Sequence, residues 1–192
     1  RCSGAKKKGE RNKDKICFIT IGYIEARKGQ DLLIKAIQNI PEELRSRAVF
    51  YLVGQNTSIM AQHLMEQVKE MPEIQITGSV DRTIINCMLD QADLMICPSR
   101  EDPMPTVAAE AMMHGVPCLV SDATGTAAYL NDGTDGFLFQ SENVSELTQK
   151  IVFCIKNAGI LREIGERARK VYESYFSMNT FEQKLMGMVD DI

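Results

Sequence analysis

Short apolar runs alternate with longer amphipathic stretches along most of this chain. The apolar runs predict six β-strands, at residues 16–21, 49–53, 74–76, 94–97, 118–120 and 137–139. The stretches between them predict helices at 29–40, 59–69, 83–91, 105–114 and 125–131, and further helices follow at 144–156, 160–175 and 179–189. Most strand candidates are continuously apolar and alternate with helices. The pattern therefore favours an α/β fold, a doubly wound parallel sheet with extra C-terminal helices.

The first residues of the chain depart from this pattern. Residues 1–15 are basic and nearly free of apolar side chains, and we interpret them as a solvated linker. A contact with an anionic membrane or with nucleic acid is the alternative, but no aromatic or amphipathic pattern accompanies the charge. Residues 16–192 are predicted to form one domain.

Composition narrows the functional classes. The 192 residues are 44% apolar and 25% charged, and the formal net charge of −4 provides no global positive field for nucleic acid. No apolar run is long enough to span a membrane, and we expect no secretory leader. The cysteines at positions 2, 17, 87, 97, 118 and 154 lack metal-ligand spacing and predict buried thiols. We expect a cytoplasmic protein without nucleic-acid partner, metal or cofactor.

The segment after the fourth predicted strand contains a helix start with no side chain to cap it. Pro105 suits the first position of a helix, and Met104 before it has no side-chain oxygen. The backbone amides of Thr106, Val107 and Ala108 are therefore predicted to be free. Free amides at a helix N-terminus favour an anion such as phosphate.

Two acids and one lysine complete the candidate site. Glu110 shares a helix face with Thr106, and Asp102 precedes Glu110 with seven residues between them. Carboxylates accept hydrogen bonds from sugar or ribose hydroxyls. A doubly wound sheet binds ligands at the carboxyl ends of its strands, and the segments that contain Lys28 and the two acids follow the first and the fourth predicted strand. A solvated Lys28, balanced by Asp31, is the alternative.

Residues 98–112 resemble the acidic signature of the glycosyltransferase family 4 (group 1) enzymes. In that signature two acids separated by seven residues lie behind Pro-Ser and before Ala-Met, as Asp102 and Glu110 do here. Residues 21–29 resemble the family's other donor-site motif, in which Lys-Gly opens the first helix. The likeness runs from about residue 17 to about residue 176. It implies a Rossmann-like domain, one half of a GT-B architecture.

The resemblance implies a role for each candidate. Lys28 would contact the donor diphosphate, Glu110 the nucleotide ribose and Asp102 the transferred sugar, and these three form the implied catalytic set. The turn after the third strand would lie near the base. The implied donor-binding set is Gly22, Lys28, Gly78, Val80, Asp102, Pro105, Thr106, Val107 and Glu110.

Three positions depart from the family pattern. Tyr23 stands where many members have an arginine that contacts phosphate, and we expect it to pack. Asp102 is one methylene shorter than the usual glutamate, so a sugar contact needs closer approach or a water. Ala128 stands where an acid is expected. His114, at the end of the predicted helix, is interpreted as a structural or surface residue.

The resemblance implies the donor-binding, C-terminal half of a retaining glycosyltransferase. The enzyme would move a sugar from a nucleotide diphosphate sugar to an acceptor hydroxyl, with electrostatic stabilisation of the leaving group. The acceptor site would lie on an N-terminal domain of the same protein, through which peripheral membrane contact is also expected. We expect the chain alone to bind donor weakly and to transfer little. A non-catalytic nucleotide-sugar-binding module, a sugar-nucleotide epimerase and a purely structural domain are the alternatives.

Overall fold

Six parallel strands form a single sheet in this computed structural model, which describes residues 15–180 and 182. The order across the sheet is β3-β2-β1-β4-β5-β6, with every neighbouring pair parallel. The strands are β1 Ile16–Ile21, β2 Ala48–Val53, β3 Ile74–Gly78, β4 Leu94–Cys97, β5 Cys118–Ser121 and β6 Phe137–Phe139. All six predicted strands are confirmed, three of them with the same bounds.

Helices connect the strands and follow the last one. They are α1 Gln30–Gln38, α2 Glu42–Arg45, α3 Ile59–Gln67, α4 Arg82–Gln91, α5 Thr106–Met113, α6 Val144–Lys156 and α7 Ala158–Tyr175. Two 3₁₀ turns cover Ala26–Lys28 and Gly125–Tyr129, so the helix predicted at 125–131 is wrong in type. The sequence did not predict the single-turn helix α2. Most of the predicted helix 179–189 lies outside the described residues, as does nearly all of the predicted linker 1–15.

The sheet is covered on both faces, which explains why most of its strands are apolar without alternation. One core holds Phe18, stacked on Phe50 at 4.9 Å between ring centroids, and it packs against α1 and α6. The other core holds Met95 and Met112 and lies on the side of α5 and α7. Within the described residues, no helix combines the length and apolar character needed to cross a membrane.

The strand order reverses between β1 and β4, and this reversal opens a crevice at the carboxyl ends of the two strands. The turns that follow β1 and β4 pack closely there. Gly29 has φ +70°, and a Cβ atom at this position would lie 2.0 Å from the carbonyl oxygen of Pro98. Glycine is therefore required where these two turns meet. The left-handed glycine also delays the start of α1 to Gln30, one residue later than predicted.

Candidate functional site

Lys28 and Asp102, predicted from separate motifs, meet in the crevice. Lys28 Nζ lies 2.5 Å from Asp102 Oδ2, and their side chains are 20% and 8% exposed. Neither is thus a solvated surface charge. The alternative in which Asp31 balances Lys28 is wrong, because Asp31 pairs with Arg100 instead.

The backbone on both sides holds Asp102 in place. The Asp102 amide donates to the carbonyl of Ala123 at 3.3 Å, and the Gly125 amide donates to the carbonyl of Asp102 at 2.9 Å. A Cβ atom on Gly125 would lie 1.7 Å from the Pro103 carbonyl oxygen, so the loop after β5 presses directly on this segment. A carboxylate buried in this way needs a cationic partner, which Lys28 supplies.

Arg100 is a further charged residue of the crevice. Its guanidinium donates to both Asp31 carboxylate oxygens at 2.8 Å, to Glu142 Oε1 at 2.8 Å and to the carbonyl of Ala26 at 2.5 Å. Burial raises the pKa of Asp31, but the hydrogen bonds and charge of Arg100 outweigh it and hold that pKa below its usual value. Asp31 and Glu142 raise the pKa of Arg100. Arg100 is not among the residues predicted from the sequence, where its only signal is a basic residue directly after Pro-Ser.

Helix α5 begins with two unclaimed amides. Pro105 is the N-cap, with an extended ψ of 103°, so the helix starts at Thr106, one residue later than predicted. The Ala108 amide donates to the carbonyl of Pro105 at 3.0 Å, so the prediction that it is free is wrong. The amides of Thr106 and Val107 have no acceptor among the described residues. The helix terminus keeps its capacity for an anion.

Glu110, on α5, faces the start of α4. Its Oε2 lies 2.8 Å from Nη1 of Arg82, which is 58% exposed. The two atoms are close enough for an ion pair, but the same buried oxygen has no well-aligned hydrogen bond among the described residues. Gly78, with φ +73°, ends β3, and the half-buried Val80 follows it before Arg82. The Glu110 side chain is still 20% exposed, so it retains acceptor capacity for a hydroxyl on this side of the crevice.

A small cleft brings Lys28 and the first turn of α5 together. Lys28, Val107 and Ser99 are among its lining residues. Gln30 also lines it, and its amide nitrogen donates to the carbonyl of Tyr23 at 2.8 Å. The Gln30 Oε1 atom is buried and has no partner among the described residues. Lysine and helix terminus thus border one cleft, as the sequence predicts.

The remaining predicted positions have mixed outcomes. Gly22 has φ +152°, and a Cβ atom there would lie 3.9 Å from the Lys28 side chain. Tyr23 is 63% exposed, so the expectation that it packs is wrong. Ala128 is exposed. His114 is the C-cap of α5, with Nδ1 2.8 Å from Asp90 Oδ1, which agrees with a structural role.

The cysteines of the described residues are thiols, and three of them are buried. Burial raises the pKa values of Cys97, Cys118 and Cys154, the last to about 12. These three confirm the prediction of buried thiols, whereas Cys17 and Cys87 are half-buried. Within 15–180 and 182, no group of three or more His, Cys, Asp or Glu side chains is arranged to hold a metal ion.

Sequence comparison relates the chain to one enzyme family. The model of the family described as "Glycosyl transferases group 1" matches residues 4–171. The lipopolysaccharide glucosyltransferase WaaG of Escherichia coli K12 is 26% identical over 137 residues, which are 69% of this chain and 36% of WaaG. The N-acetyl-alpha-D-glucosaminyl L-malate synthase of Bacillus anthracis is 25% identical over 182 residues, 93% of this chain and 46% of that protein. The chain thus spans between a third and a half of these relatives' length.

Solved structures show the same fold. Anabaena Alr3699/HepE in complex with UDP-glucose aligns with a TM-score of 0.80 and 22% identity, over 93% of this chain and 50% of that one. Sucrose-phosphate synthase from Thermosynechococcus elongatus aligns with a TM-score of 0.81 and 20% identity, over 93% and 45%. Together with the sheet order, these likenesses confirm the predicted Rossmann-like α/β fold of GT-B type.

Proposed function

The chain belongs to the group 1 glycosyltransferase family, and we propose that it is the donor-binding, C-terminal half of a retaining family 4 enzyme. The whole protein transfers a sugar from a nucleotide diphosphate sugar to an acceptor hydroxyl. One observation carries the assignment: Lys28 and Val107, in the first turn of α5, line the same cleft at the strand-order reversal. A phosphorylated ligand is the chemistry that such a pair fits best.

The diphosphate lies at the mouth of the cleft, between Lys28 and the first turn of α5. The amides of Thr106 and Val107 donate to phosphate oxygens, and the helix dipole adds to their attraction. The ammonium group of Lys28 carries three donors, so it binds a phosphate oxygen while still contacting Asp102. When the sugar leaves, negative charge develops on the diphosphate, and these preorganised donors stabilise it without a metal.

The nucleoside lies on the side of β3 and α4. Glu110, whose side chain is 20% exposed, accepts hydrogen bonds from the ribose hydroxyls. The backbone at Gly78 and Val80 borders the base, and Gly22 leaves room beside the Lys28 side chain. Asp102 orients the transferred sugar, but this contact competes with its own ion pair to Lys28.

In this proposal the chain is one part of a longer enzyme. Because the relatives are about twice as long as the chain, we assign the acceptor site to an N-terminal domain, which residues 1–15 would connect to this one. That domain is also where we place any peripheral contact with a membrane, in a cytoplasmic enzyme. The isolated chain then binds donor weakly and transfers little. A UDP-sugar is the first donor to test, because the HepE complex contains UDP-glucose.

A second candidate is a nucleotide-sugar-binding module that does not catalyse. It is favoured by the electrostatics of the cleft, where Asp102 neutralises Lys28, and Tyr23 supplies no second cation. Ala128 also lacks the acid expected of a catalytic member. Both candidates bind nucleotide diphosphate sugars, but only the enzyme loses turnover when Lys28 is changed in the longer protein.

A thermal-shift panel of UDP-, GDP- and ADP-sugars tests the assignment. A ligand that binds only the folded chain raises its stability by RT ln(1 + [L]/Kd), so one nucleotide should stabilise it more than the others. Lys28→Ala and Glu110→Ala should each reduce that stabilisation. No stabilisation by any member of the panel at millimolar concentration would contradict the proposed function. Product analysis with no acceptor added separates a transferase from an epimerase.

A further inference from the structure

Arg100 connects the two turns that form the crevice. Its guanidinium binds Asp31 at the start of α1, Glu142 before α6 and the carbonyl of Ala26, the first residue of the turn that carries Lys28. Its backbone amide donates to the carbonyl of Arg27 at 2.8 Å. One residue after β4 thus contacts two consecutive carbonyls of the turn after β1.

Other contacts join the same two segments. Arg27 donates from Nη1 to the carbonyl of Glu101 at 3.2 Å, and Gly29 lies directly against the Pro98 carbonyl. Arg27 itself is exposed and paired with Glu25, so it adds little to the rigidity of the turn. Arg100 is the more buried of the two arginines and makes a bidentate contact, which fixes orientation as well as distance.

The charge of Arg100 is already compensated within the fold. Two carboxylates, those of Asp31 and Glu142, each lie 2.8 Å from its guanidinium. Many family members have a phosphate-binding arginine at the position of Tyr23. Arg100 does not take over that role in this chain. Its contacts point to an effect on the backbone that holds Lys28.

We propose that Arg100 is a positioning residue, which holds the Ala26–Lys28 turn so that Lys28 meets the diphosphate in one fixed geometry. Lysine has a long flexible side chain, and binding through it costs less when its backbone is fixed beforehand. Arg100 does not touch the ligand in this role. Lysine at position 100 would keep the charge but lose the planar fork that joins Asp31 to Ala26.

A double-mutant cycle in the full 192-residue chain tests this role, with calorimetric titration of UDP and of inorganic pyrophosphate as a probe without a base. Arg100→Lys should weaken binding of both about fivefold. In a Lys28→Gln background, which keeps a donor so that binding stays measurable, the same change should have less than a twofold effect. Arg169→Lys, on the exposed face of α7 and also paired with a carboxylate, is the matched control and should change neither affinity.

A merely structural role predicts a different pattern. If Arg100→Lys weakens binding equally in both backgrounds, or leaves UDP affinity unchanged in the wild-type background, the inference is overturned. Asp31→Asn, which removes the charge of the bidentate partner, gives a second route if Arg100→Lys does not fold, and it should show the same dependence on Lys28. Because this inference rests on the proposed function, Lys28→Gln is measured alone as well. An unchanged UDP affinity there contradicts the phosphate site itself, and Arg100 then has no role in it.

Discussion

The two sides of the crevice differ in how firmly their charged side chains are held without a ligand. On the side of β1 and β4, Lys28, Asp102 and Arg100 are cross-linked by ion pairs and backbone hydrogen bonds. On the side of β3 and α4, Arg82 is largely exposed, and Glu110 has a buried oxygen without an aligned donor. The comparison teaches that the charged side chains on the phosphate side are held in place before a ligand binds, whereas those on the nucleoside side are held less firmly.

The largest expected effect is on the packing of the preorganised side. Gly29→Ala places a Cβ atom 2.0 Å from the Pro98 carbonyl at a φ of +70°. We expect it to lower the free energy of unfolding by roughly 3 kcal/mol or more, since strain and a backbone clash add. Gly133→Ala is the control, because its φ is +75° but nothing lies within 4 Å of the new atom. If urea unfolding shows that both variants lose the same free energy of unfolding, the turns after β1 and β4 do not pack as described.

Next in size is the loss of the cation on the same side. Lys28→Ala should weaken UDP binding about 10- to 100-fold, because charge-assisted hydrogen bonds contribute roughly 1.5–3 kcal/mol. It also leaves Asp102 buried without its partner, so the melting temperature should fall. Lys35→Ala, on an exposed position of α1, is the control and should change neither quantity. If calorimetric titration shows that Lys28→Ala binds UDP as tightly as the wild type, Lys28 does not bind the phosphate and the contrast between the two sides fails.

A smaller effect is expected on the nucleoside side. Glu110→Ala should weaken UDP binding about tenfold but leave unchanged the binding of a UDP analogue that lacks both ribose hydroxyls. Arg82→Ala should cost less than about threefold, because an exposed ion pair contributes little. Equal losses for UDP and its analogue would mean that Glu110 acts on the fold instead of the ribose.

The smallest effect concerns pH. In the folded chain the pKa of Asp31 is below its usual value. The ionised Asp31 carboxylate therefore stabilises the fold at any pH above the pKa that Asp31 has in the unfolded chain. This stabilisation is lost as the pH falls through the lower pKa of the folded chain. Asp31→Asn should therefore make stability depend less on pH below about pH 4. Urea unfolding at neutral pH and in that acid range measures the difference. Glu66→Gln, which changes an exposed carboxylate, is the control. If the free energy of unfolding of Asp31→Asn falls as steeply in acid as that of the wild type, the lowered pKa of Asp31 is contradicted.

The local pattern of the sequence was sufficient to predict the sheet and part of the candidate site. The strands are apolar because both faces are covered, and two spaced motifs located Lys28, Asp102 and Glu110. Arg100 could not be found in this way, because its partners Asp31 and Glu142 lie 69 and 42 residues away along the chain. Its role depends on which strands become neighbours, and that is fixed only by the assembled sheet.

The same limit applies at shorter range. Pro105 was expected inside the helix, but its extended ψ makes it the cap, and its carbonyl takes the Ala108 amide. Tyr23 was expected to pack, but the turn after Gly22 leaves it in solvent. Both errors come from backbone angles that a residue type allows but does not determine.

The most direct measurement follows the backbone amides of α5 by nitrogen–proton NMR while UDP, and separately inorganic pyrophosphate, is added to the chain. The amides of Thr106 and Val107 should show saturable shifts among the largest observed. The first amides of α7, at Ala158 and Gly159, should stay in place, although α7 also begins without a side-chain cap. Binding of UDP that leaves the Thr106 and Val107 amides unmoved would contradict a diphosphate held at this helix terminus.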